Sequence, residues 1–141
     1  MRFDPTLEGE EAGLCLIQKD DNYLLFDVKR EDKENVLQLV INDKKKNPII
    51  KKDLVMGKKY KNYIELKVIS KNNIYQYYFR YQSNDLWELF DTTNSDILLS
   101  EGYTGAHLGI YATSNGTKSI NFAAFDVFKL EYLSPPLKLK K

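Results

Sequence analysis

The chain has 141 residues, with 21 Lys and Arg against 20 Asp and Glu and a formal net charge of +1. That length suits one domain with a real core, and the balanced charge supplies no field that would favour nucleic acid or a membrane surface. A single cysteine, Cys15, excludes an internal disulfide and a multi-cysteine metal site; no apolar run reaches membrane-helix length, and Met1 opens no basic-then-apolar leader.

From the start of the chain, residues 14–18 and 23–28 read as two strands of a hairpin about Lys19-Asp20-Asp21. Cys15 lies in the run Leu14-Cys15-Leu16-Ile17 and reads as a buried small hydrophobe. Residues 31–34 separate that hairpin from a strand over 36–41. The lysines at 44–46, 51–52 and 58–59 read as solvated turns. In 63–69, Ile64, Leu66 and Val68 alternate with Glu65 and Lys67. In 74–81, Tyr75, Tyr77, Phe79 and Tyr81 share one face, while Ile74, Gln76, Tyr78 and Arg80 share the other. The turn 70–73 makes these two segments a second hairpin.

Residues 82–85 lead into a strand over 86–90, and a short helical turn fits only near 92–97. Strands over 106–112 and 123–132 close the fold across the loop 113–119. Asn115-Gly116-Thr117 is a formal glycosylation sequon, but Asn-Gly is a tight-turn signal and the turn is the preferred reading. Pro135-Pro136 ends the last strand, because proline cannot donate to a ladder. The expectation is an all-β, lectin-like (concanavalin-type) jelly-roll β-sandwich of two antiparallel sheets. The cysteine pair of an immunoglobulin domain is absent. One domain is expected over 1–133, followed by a basic tail at 134–141.

No catalytic constellation stands out. His107 is the only histidine and should point away from the face of Ala106 and Leu108; it reads as a surface or lining residue. The serines sit in turns, loops or the tail, without a nucleophile elbow. Glycoside hydrolysis needs two carboxylates facing a sugar, but Glu65 and Glu88 look like the polar halves of strand alternations. Asp126, between Phe125 and Phe128, reads as a structural group: a buried hydrogen-bonding acid, an edge residue or a weak candidate ligand for a structural calcium ion. Trp87 is expected to pack against the strand 74–81, with a sugar contact as its functional alternative. Tyr103 is different. Between Gly102 and Thr104-Gly105 it has no core to fill, which suits contact with a ligand or partner.

Two regions resemble the C-terminal concanavalin-like β-sandwich of glycoside hydrolase family 43, the β-xylosidase and α-L-arabinofuranosidase group. The first is Phe3-Asp4-Pro5-Thr6 through Glu10-Glu11-Ala12-Gly13-Leu14 and on to Gln18-Lys19-Asp20-Asp21-Asn22-Tyr23. The second is Gly102-Tyr103-Thr104-Gly105-Ala106, Leu108-Gly109-Ile110-Tyr111-Ala112, Asn115-Gly116 and Ala124-Phe125-Asp126-Val127-Phe128. Each motif is weak alone, and the ordered pair is specific. Val127 stands where the family often has Trp.

The resemblance implies a non-catalytic accessory domain that packs on a catalytic five-bladed propeller, absent here, which carries the acidic residues. It implies that Tyr103, presented by Gly102, Thr104 and Gly105, helps wall the substrate pocket of the parent enzyme, with Trp87 and His107 as lesser sugar contacts. The parent would release terminal pentoses from xylo- or arabino-oligosaccharides, and no cofactor is expected. The family's sandwich begins earlier, so an open sheet edge and self-association through it are also expected. The chain then reads as a domain cut, or a gene remnant, from a longer hydrolase, cytoplasmic or exported with that parent. The rivals are a free-standing carbohydrate-binding module, using Tyr75, Tyr77 and Tyr81 or Tyr78 as an exposed aromatic row, and a purely structural clamp.

Overall fold

A computed structural model describes residues 1–98, 107–126 and 128–129, and the side chains of all of these except 97 and 98. Among these residues ten strands run in chain order: β1 (Arg2–Phe3), β2 (Glu11–Lys19), β3 (Asn22–Glu31), β4 (Glu34–Asp43), β5 (Ile49–Val55), β6 (Glu65–Lys71), β7 (Ile74–Arg80), β8 (Glu88–Asn94), β9 (His107–Thr113) and β10 (Ala123–Ala124). Every pairing is antiparallel. One sheet has five strands in the order β5-β4-β3-β2-β9, and the other is built on β6-β7-β8. The β1-β10 ribbon continues the second sheet. Met1 and Ile64 exchange backbone bonds of 2.9 and 3.0 Å, and the Phe3 amide donates to Asn62. The result is the expected two-sheet, all-β sandwich.

Alternation decides what lies between the sheets. Leu24, Phe26 and Val28 of β3 and Leu37, Leu39 and Ile41 of β4 turn inward and are buried. From the other sheet Tyr77, Phe79 and Phe90 meet them. Phe26 packs edge-on to Tyr77 at 5.4 Å and stacks with Phe90 at 5.6 Å. Burying such side chains contributes roughly 1.5–3 kcal/mol each. Met56 and Tyr60 close one margin of the core, with the Tyr60 hydroxyl donating to the Phe3 carbonyl.

Two-residue turns set the hairpins. Asp32-Lys33 and Asn72-Asn73 all take positive φ, as does Asn115-Gly116, with φ of 53° and 87°. Two successive positive φ values make the tight turn whose twist matches antiparallel strands. Asn115-Gly116 is therefore a turn, and the Asn115 side chain is engaged, donating to the Gly9 carbonyl and to Glu11.

Four expectations need correction. Strand β5 has no counterpart in the sequence reading. Every one of its residues is exposed, so its side chains carry no inside–outside alternation. It is an edge strand whose lysines reach the other sheet: Lys51 to Asp91 and the Thr92 carbonyl, Lys52 to the Phe90 carbonyl. The strand expected over 86–90 begins later and runs longer, as β8, because it follows β7 along its full length. The helical turn expected near 92–97 is a 3-10 turn over Ser95–Leu98, with the Asn94 side chain accepting from the Asp96 amide. The strand expected over 123–132 is a ladder of two residues, because β1 offers only Arg2 and Phe3 to pair with. Positions 127 and 130–132 lie outside the described residues.

Candidate functional site

The five-stranded sheet carries a polar rung on its outer face, turned away from Phe26. Register places Tyr111 (β9), Gly13 (β2), Asp27 (β3), Gln38 (β4) and Asp53 (β5) in one line across the strands. The Tyr111 hydroxyl lies 2.6 Å from a Glu11 carboxylate oxygen and also contacts Asp27. Asp27, Gln38 and Glu11 are buried. Burial, followed by the adjacent Glu11 carboxylate, pushes the Asp27 carboxyl well above the usual range. Acceptors outnumber donors here. Asp27 Oδ1 and Gln38 Oε1 find no partner among the described groups, and a proton kept on Asp27 relieves that surplus.

A second buried acid fastens the loops beside this rung. Glu10 accepts from the Thr6 amide, the Ser119 hydroxyl and the Asn121 side chain, each at 2.8 Å. Burial alone would raise its pKa; the bonds from Asn121, Thr6 and Ser119 outweigh that and hold it below the usual range. Neither acid was singled out from sequence. Glu10 and Glu11 entered only as letters of a motif, although an Asp inside Leu24-Leu25-Phe26-Asp27-Val28 was a visible signal.

Tyr103, Gly102, Thr104 and Gly105 lie outside the described residues, as does Val127. The other expected residues are dispersed. His107 is exposed, opposite Ile17 on the outer face. Trp87 precedes β8, and its ring is occupied by cations: Lys67 Nζ and the Arg80 guanidinium each sit 4.2 Å from its centroid. Arg80 is in turn paired with Glu65 at 3.0 Å. Asp126 is half exposed and stands 3.6 Å from Arg2. It is not a buried acid. Among the described residues no three His, Cys, Asp or Glu side chains gather where they could hold a metal ion. The aromatic row of the binding-module alternative is corrected as well: Tyr77 is fully buried, Tyr75 and Tyr81 are only partly buried but turn to the core side with it, and Tyr78 lies under Lys67 at 5.0 Å, so the four form no continuous exposed row.

The family model of the β-xylosidase C-terminal concanavalin A-like domain matches residues 1–131. A xylosidase/arabinosidase of Butyrivibrio fibrisolvens is 28% identical over 137 residues, which cover 93% of this chain and 25% of that protein. The GH43 BlXynB protein of Bacillus licheniformis superposes with a TM-score of 0.70 at 20% identity, over 85% of this chain and 24% of the other. A xylan β-1,4-xylosidase of Bacillus halodurans C-125 superposes with a TM-score of 0.69 at 15% identity, over 82% and 24%. The chain thus spans about a quarter of the length of these relatives.

Proposed function

Because this chain belongs to the β-xylosidase C-terminal concanavalin A-like domain family, we propose that it serves as the accessory sandwich of a xylosidase/arabinosidase-like glycoside hydrolase. Domains of this family are parts of larger family 43 proteins. The observation that carries the reading is the match over residues 1–131 to a domain that makes up only a quarter of its relatives. In this reading the sandwich packs on a catalytic propeller, and the chemistry belongs to the propeller. The segment carrying Gly102, Tyr103, Thr104 and Gly105, which precedes β9 in the sequence, lends the Tyr103 ring to the wall of the substrate pocket. Such a wall contributes by positioning the terminal pentose and excluding water rather than by moving protons.

Two measurements test this. The purified 141-residue chain should release no pentose from an aryl xyloside, and measurable release would overturn the non-catalytic role. In the hydrolase polypeptide that carries the domain, Tyr103→Ala should lower kcat/KM about tenfold, equivalent to about 1.4 kcal/mol of transition-state stabilisation. An unchanged kcat and KM would leave the sandwich as a structural clamp.

A further inference from the structure

A cleft of about 520 Å³ opens between the 3-10 turn Gly57–Lys59 and the turn that follows β7. It shares no residue with the polar rung. Its volume falls within the roughly 300–1,000 Å³ of small-molecule sites. Lys58, Lys59 and Lys61 line it together with Tyr63 and Tyr81.

The lysines are held at the rim by what lies beneath them. Gly57 takes φ +59° to start the turn, the Tyr60 amide closes it onto the Gly57 carbonyl at 3.3 Å, and the Tyr60 side chain is rooted in the core. Asn62, at φ +63°, then redirects the chain between Lys61 and Tyr63. The Tyr63 hydroxyl meets Ser83 at 3.3 Å, tying the two banks together, and the Tyr81 ring is set edge-on to Phe79 at 5.6 Å.

Three lysines line this cleft together. Lys51 is paired with Asp91, Lys52 with the Phe90 carbonyl, and Lys67 covers Trp87. Among the described residues, no ion pair engages Lys58, Lys59 or Lys61. Asp85 is the one acid among the described residues of the lining and is exposed. Three free ammonium groups against one carboxylate favour an anion. Two tyrosines with an apolar body and a hydroxyl favour a ring bearing hydroxyl groups over a bare inorganic ion.

We infer that this cleft binds a carboxylated sugar, a uronic acid unit of an oligosaccharide, with its carboxylate among Lys58, Lys59 and Lys61 and its ring against Tyr63 and Tyr81. The inference rests on the reading of the domain as part of a polysaccharide hydrolase. Exposed ion pairs contribute little each, so affinity should be about millimolar and should weaken with salt.

The test is a titration of the ¹⁵N-labelled 141-residue chain with three probes: a glucuronic-acid-substituted xylo-oligosaccharide, the same oligosaccharide without the acid, and inorganic phosphate. The substituted sugar should shift amides at 57–63 and 81–85 and bind about tenfold tighter than the unsubstituted one. The double variant Lys59→Gln, Lys61→Gln should lose that advantage, while Lys44→Gln keeps it. Equal binding of the two sugars, equal binding of phosphate, or shifts confined to other residues would each overturn the inference. Turnover of the Tyr103→Ala hydrolase reads the accessory role separately, so the two ideas can fail independently.

Discussion

Tyr111 on β9 reaches Asp27 on β3 by passing over Gly13 on the strand between them. Adjacent strands are about 4.8 Å apart, so this contact spans two strand spacings and needs an open corridor above β2. Gly13 provides it. A Cβ built there would lie 2.4 Å from the Phe26 carbonyl oxygen and 2.6 Å from Asp27 Cα. One missing side chain thus lets an acid and a phenol meet on the outer face of the sheet.

Gly13→Ala should therefore be among the most damaging single-methyl changes in the domain. The clash is with backbone, which cannot rotate away as a side chain can, and overpacking of this kind costs about 1–3 kcal/mol or more. Thermal unfolding of the variant should shift downward by several degrees at least, or the chain should fail to fold. A midpoint equal to the parent's would show that β2 and β3 can part without cost.

Stability should also depend on pH in a definite direction. The Asp27 carboxyl has a folded pKa raised above its ordinary 3.8. Between that ordinary value and the raised one, the native state keeps a proton that the unfolded chain has released. The contribution is therefore complete below the unfolded pKa and is lost as pH rises through the folded one. Glu10, Glu65 and Asp91 are shifted the other way, and their contribution is lost as pH falls through their depressed values. Urea unfolding across pH should show a maximum in the mildly acidic range. Asp27→Asn should flatten the decline toward neutral pH; the same slope in parent and variant would refute the assignment to Asp27.

Glu10→Gln should loosen the approach to β10. The carboxylate accepts from three donors on two different segments, and an amide would set its own NH₂ against at least one of them. Hydrogen bonds to charged groups contribute about 1.5–3 kcal/mol each, so a loss of about 2–3 kcal/mol is expected in chemical denaturation. A change below about 0.5 kcal/mol, the size of an ordinary surface substitution, would mean that Ser119 and Asn121 find other partners.

Much of the architecture was legible because strand period is a local property. The row Tyr75, Tyr77, Phe79 and Tyr81 and the row Ile64, Leu66 and Val68 announce which face is dry, and both rows do turn toward the core. Strand β5 was illegible for the same reason: an edge strand exposed along its length gives no alternation to read. The polar rung could not be assembled from sequence, because Tyr111 and Asp27 are 84 residues apart and only pairing through β2 aligns them. Lys58 and Lys59 read as part of an ordinary solvated turn, and Lys61 drew no reading at all. What sets their cleft apart, the opposite bank carrying Tyr81, comes from another part of the chain.

The Tyr111–Gly13–Asp27 alignment also acts as an index mark for β9. A strand can slide along its neighbour by one residue only by turning every side chain to the opposite face. Such a slip would send Tyr111 inward, bring Ile110 onto the acids and leave the Asp27 carboxyl without its hydroxyl. The register of β9 is thereby fixed by chemistry two strands away, and with it the point at which the chain enters the sheet at His107.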